Sequence, residues 1–181
     1  MGALQFKFLQ HEGDIDWQDV FAIWRAYEAH QSLWKDHWQE RGFDSWEDWR
    51  KSYAKPIQPE NLQWGVYRII EPNMAAKDFY GTPTRGWQAK CYDGNVTEKI
   101  KNILDHPIIK NNQKIIEIVD NFPYQTMLTG IVNKGRIVLI EGMHRACALA
   151  QLEKVKGDVV IALANFEGEI PLLGTGDKNV Q

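Results

Sequence analysis

The chain has 181 residues, 44% of them hydrophobic, with a formal net charge of −3 and a pI near 6.0. That length and composition predict one folded domain, or one core with an attached helical subregion, and the mildly acidic balance removes the bulk electrostatic case for nucleic-acid binding, which needs a basic face. No run approaches the roughly 20 apolar residues of a membrane span and no secretory leader pattern opens the chain, so the reading is a soluble, cytoplasmic protein with no membrane partner.

Tryptophan dominates the first half of the chain. Trp17, Val20, Phe21, Trp24, Tyr27, Trp34 and Trp38 recur at helical spacing behind Asp14 or Asp16 as N-cap, which predicts a long amphipathic helix over 16–40, with a break allowed and Gly42 ending it. Ser45-Trp46-Glu47-Asp48 is a capping signal for a second helix carrying Trp46, Trp49 and Tyr53, which must stop before Pro56. Residues 64–70 have the β-branched and aromatic character of a strand, closed by Pro72. The Gly- and Pro-rich stretch 79–87 reads as a loop with Arg85 set among aromatics.

Thr97 can cap a helix containing Ile100, Ile103 and Leu104, and a further helix around 112–121 buries Ile115, Ile116 and Val119. Strands over 126–132 and 136–140 are joined by Asn133-Lys134-Gly135, a good hairpin connection. A helix with Ala146, Leu149, Ala150 and Leu152 on its apolar stripe precedes a strand over 158–164. The expected organisation is a Trp-rich helical extension over 1–60, a core over 61–166 and a fraying tail over 167–181.

The turn at 141–145 carries the most chemistry. The run Ile137-Val138-Leu139-Ile140 halts at Glu141-Gly142, and a helix opens with Met143, His144 and Arg145. Helix N-termini attract anions through their free N–H groups. On that reading Gly142 lets a ligand approach, His144 shuttles a proton and Arg145 clamps two oxygens. The competing reading, of equal weight on spacing alone, makes Glu141 and Arg145 a helix-start ion pair and His144 a packing residue.

Arg85 could meet a second phosphate, with Trp87 or Tyr80 stacking on a base, although a solvent-facing loop arginine is the more ordinary role. Arg68 is a weaker third cation, because a half-buried strand routinely places an arginine on its wet face. Of the carboxylates that could act as base, Glu71, Glu117, Asp105 and Glu141, only Glu141 is tied to the turn by sequence. His30 and His37 would share a helix face but lack a third ligand, and Cys91 and Cys147 match no close-spaced zinc pattern, so no metal site is expected. The aromatic face of the Trp-rich helices leaves a protein partner or self-association open.

An acidic residue ending a hairpin strand, then Gly-x-His-Arg, an Ala-rich helix and another strand, resembles the ParB/sulfiredoxin superfamily. The matching residues are Glu141, Gly142, His144 and Arg145, followed by Ala146, Ala148 and Leu149. The resemblance covers roughly residues 64–165 by pattern. It implies an α/β (α+β) protein: a small mixed β-sheet with flanking helices, a ParB/sulfiredoxin-like core with the Trp-rich helical extension attached. It also implies a nucleoside triphosphate with Mg²⁺, phosphates on Gly142, Met143, His144 and Arg145 assisted by Arg85, and Glu141 and His144 as catalytic groups. Sulfiredoxins carry their reactive cysteine where this chain has Met143, whose thioether cannot form a sulfinyl-thiol intermediate, and Cys147 is expected to turn inward. Chromosome-partitioning members add a helix-turn-helix module after the core, for which this sequence leaves no room after its last predicted strand. The expected function is a nucleotide-binding enzyme, a phosphotransferase or nucleotide hydrolase acting on a small molecule. The alternative is a non-catalytic binding or regulatory module whose Trp-rich helices contact a protein. A nuclease on the same fold is a minor option, since a polynucleotide substrate requires a basic groove.

Overall fold

In a computed structural model that describes residues 6–175, the three apolar runs of the second half become three adjacent strands of a five-stranded sheet. β1 (Leu9–Ile15), β2 (Trp64–Ile69), β3 (Gln125–Asn133), β4 (Arg136–Glu141) and β5 (Asp158–Asn165) lie in the order β1-β2-β5-β3-β4. β3 and β5 are parallel and the other pairs antiparallel, so the sheet is mixed.

Nearly continuous hydrophobic runs are what a strand needs when both of its faces are covered. Leu128, Val132, Ile137, Leu139, Val159, Ile161 and Leu163 point into one hydrophobic cluster, and Met127, Ile131, Val138, Ile140, Ala162 and Ala164 into another. The second cluster is closed by α1 (Trp17–Glu28), α2 (Ser32–Glu40) and α3 (Trp46–Ala54), which bring Trp17, Trp24, Trp46 and Trp49 onto the sheet. The first is closed by α4 (Pro72–Ala76), α5 (Arg85–Cys91), α6 (Ile100–Ile103), α7 (Pro107–Lys110), α8 (Gln113–Asp120) and α9 (Met143–Leu149).

The local signals for α3 and α8 act as anticipated. Ser45 accepts from the Asp48 N–H at 3.1 Å, and Asn112 from the Ile115 N–H at 3.2 Å. Thr97 instead donates to the Gly81 carbonyl at 2.5 Å, and α6 is only one turn long. The long helix expected over 16–40 is two helices separated at residues 29–31, which takes His30 and His37 off a common face. Pro72 ends β2 and also opens α4, where a missing N–H costs nothing. The 79–87 stretch is not all loop: Tyr80 bridges the edge strand β4, and α5 starts at Arg85 under a Thr84 cap.

β1 was not anticipated. Its sequence Leu-Gln-His-Glu-Gly-Asp-Ile is too polar to show an apolar period because it lies at the sheet edge with most of its side chains exposed. Its pairing with β2 also redraws the expected domain boundary, since residues 9–15 belong to the same sheet as the core. The tail does not fray where it is described: Leu173 is buried, and its N–H donates to the Pro83 carbonyl at 2.7 Å. Residues 176–181 of that tail lie outside the described residues. Among the described residues no helix is long and apolar enough to cross a membrane.

Candidate functional site

A cavity of about 720 Å³ opens at the end of the sheet where β4 gives way to α9, between the Trp-rich layer and the opposite helical layer. Its walls include Tyr27, Trp34, Trp49 and Arg50 on one side and Arg85, Trp87, Lys114 and the 141–145 turn on the other. The turn therefore does face a pocket. Its two charged residues, however, are spent on each other.

Arg145 Nη2 donates to both Glu141 oxygens at 2.6 Å, and its Nη1 donates to Thr126 Oγ1 at 2.5 Å. Both residues are buried, and the guanidinium lies 4.5 Å from the centre of the Tyr27 ring. Burial raises the Glu141 pKa above the ordinary carboxylate value while Arg145 pulls it back. This corrects two expected roles: Arg145 has no free fork for a phosphate, and Glu141 has no free oxygen with which to orient a nucleophile or metal. Gly142 is needed for a different reason than ligand approach. Its φ of 93° is left-handed, and a Cβ there would lie 2.6 Å from Leu128 Cδ2. Met143 is also a packing residue, buried with its sulfur 3.9 Å from the Tyr92 hydroxyl. Cys147 does turn inward, and burial pushes its thiol up to about 12.

His144 differs from its neighbours. Its imidazole makes no hydrogen bond to the described residues and meets Trp87 edge-on at 5.5 Å between ring centres. Burial first, then the positive charges of Lys114 and Arg145, lower its pKa to about 4. It is consequently neutral at physiological pH, with a ring nitrogen able to accept a hydrogen bond. Arg85 is exposed on the cavity rim at the start of α5 and makes no ion pair among the described residues.

Several residues that line or support this site were invisible in the turn itself. Glu28 and Arg50 form a second buried ion pair, Nε to Oε2 at 2.6 Å with a further Nη2 contact, and Trp46 Nε1 donates to the same carboxylate at 3.1 Å. Arg50 is enclosed by rings, 4.3 Å from the centre of Trp49 and 4.7 Å from that of Tyr53. A signal for this pair exists in the sequence. Glu28 extends the apolar series Trp17, Val20, Trp24 of α1, and Arg50 sits with Trp46, Trp49 and Tyr53 on α3, and a charge on an apolar helical stripe demands a partner. Lys114, half-buried on the first turn of α8, has no comparable signal. Arg68, by contrast, serves the sheet surface, pairing with Glu12 at 2.6 Å and with Asp158. Asp105 pairs with Lys110 at 2.9 Å beside α7.

Comparisons with protein-family models, with curated proteins and with solved structures find no match. The site must accordingly be read from its own geometry. All eight tryptophans are buried or half-buried, so the aromatic face that suggested a partner surface is turned onto the sheet and into the cavity.

Proposed function

We propose that the protein binds a nucleotide-class ligand, a planar ring bearing phosphates, in the cavity at the 141–145 turn, and that it transfers or hydrolyses a phosphoryl group. The observation that carries this reading is the cavity's charge and shape together. Of the three wall carboxylates, buried Glu28 and Glu141 are each neutralised by their own guanidinium and exposed Glu117 accepts from Gln113 Nε2 at 3.2 Å, while Lys114, Arg85 and Lys90 contribute cations that no described carboxylate pairs. The volume lies within the ~300–1,000 Å³ range of small-molecule pockets, and half-buried Trp34 and Trp87 give its lining aromatic surface.

The chemistry follows from the same groups. Phosphoryl transfer asks a protein mainly for positioning and charge stabilisation. Arg85 at the rim stabilises phosphate charge, and neutral His144 accepts the proton of the attacking hydroxyl or water. Glu141 and Arg145 hold the turn in place. The two buried wall carboxylates are engaged, and among the described residues no group of three His, Cys, Asp or Glu could hold an ion by itself, which leaves exposed Glu117 as the wall carboxylate without a cation partner. The reading draws on the resemblance of the sequence around Glu141–Arg145 to the ParB/sulfiredoxin superfamily, whose members hold nucleotide phosphates at this turn.

Titration calorimetry with ATP, CTP and GTP tests the proposal. Binding by the wild type, weakened in Arg85→Ala, with turnover lost in His144→Ala, is the expected result. Absence of binding to all three overturns it. The second reading, a non-catalytic binding module, is favoured by the internal pairing of Glu141 with Arg145, and binding without turnover would select it.

A further inference from the structure

We infer that Lys114 is the residue that takes the anionic group of the cavity's ligand, in the place expected of Arg145, and that this binding needs no divalent cation. The inference rests on the cavity reading above and deepens it. Lys114 stands on the α8 wall, and its Nζ lies 4.2 Å from the centre of the Trp34 ring, across from α2. It makes no ion pair and no hydrogen bond to the described residues. Its neighbours explain why it is unsatisfied. Glu28 and Glu141 both exert attraction on it, but the first is held by Arg50 and the second by Arg145, and those guanidinium groups repel it.

A half-buried ammonium with only an aromatic face for company loses hydration without recovering an ionic partner. An anion entering the cavity supplies that partner. Its charge is then offset by the ammonium, and the buried wall carboxylates that could recruit Mg²⁺ are already held by Arg50 and Arg145, with exposed Glu117 bonded to Gln113. Lys114 and His144 line the same cavity, so an anion held by the ammonium shares that space with the imidazole proposed as the base. A compact ammonium also suits a phosphate oxygen as a point charge, whereas the planar forks at this site are already committed to carboxylates.

The test is calorimetric titration of ATP and of inorganic tripolyphosphate, each in EDTA and in Mg²⁺, against the wild type, Lys114→Met and Lys114→Arg. Thermal melting checks that each variant is folded, with Lys114→Gln as substitute if the methionine variant is not. Expected are binding in EDTA by the wild type, at least ~10-fold weaker binding by Lys114→Met, and binding within about threefold by Lys114→Arg. Equal binding by Lys114→Met overturns the role of Lys114 while leaving the cavity reading intact. Wild-type binding only with Mg²⁺ overturns the metal-free part. No binding of either probe under any condition overturns the cavity reading itself.

Discussion

Replacing Glu141 by glutamine tests the central finding, that the charged pair of the turn is structural. Glutamine keeps the size and one acceptor oxygen but removes the charge opposite Arg145, which is 8% exposed and has both Nη atoms committed. Breaking a buried ion pair from one side costs about 3–5 kcal/mol, because the surviving charge is left in a poorly hydrated place. Here the Tyr27 face at 4.5 Å and the Thr126 hydroxyl soften the loss, which puts the expected cost at the lower end, about 3 kcal/mol. For a chain of this length that corresponds to a fall of roughly 6–12 °C in Tm. Urea unfolding followed by tryptophan emission reads it directly, since Trp24 donates to Thr129 inside the layer that would loosen. The double variant Glu141→Leu/Arg145→Met removes both charges and should recover most of the stability, because replacing a buried pair with apolar groups is often neutral. A Glu141→Gln protein within about 0.5 kcal/mol of wild type would refute the reasoning, as it would mean that water reaches Arg145.

Other substitutions probe neighbouring links. Gly142→Ala should destabilise by about 2 kcal/mol, combining the left-handed φ with the 2.6 Å approach to Leu128; urea unfolding checks it, and Leu128→Ala in the same chain should relieve the steric part. His37 and His144 are both held neutral down to about 4, His37 by burial and by Arg41 and Arg50. Between pH 6.5 and 4 the unfolded imidazoles take up protons and the folded ones do not, so their contribution to stability is present above pH 6.5 and lost as the pH falls towards 4. After allowance for partial solvent access the expected loss is about 1.5 kcal/mol each, and His144→Gln should flatten the wild-type decline by that amount. An NMR titration placing the His144 midpoint near 6.5 would contradict this.

Local interactions account for what was readable in the chain. The β3–β4 hairpin, the start of α9, and the caps of α3 and α8 involve residues within a few positions of each other, so spacing and residue type suffice to place them. The acidic residue, Gly-x-His-Arg turn was legible as a strand–turn–helix junction for the same reason. Its two weighed meanings could not be separated locally, because whether Arg145 faces a ligand or Glu141 depends on Thr126 and Tyr27, brought in from other elements.

By itself, then, the sequence determined the strand runs of β2 to β5, the β3–β4 hairpin and the strand–turn–helix junction at 141–145, all consequences of periodicity and nearest neighbours, while the small mixed sheet with flanking helices followed from the resemblance. Only the tertiary structure decided that β1 joins the edge, that Glu28 meets Arg50, that the turn's own charges cancel and that Lys114 has no ionic partner among the described residues. Those outcomes depend on side chains from distant segments sharing a low-dielectric space, where a charge is either paired or costly, and sequence separation carries no record of which it will be.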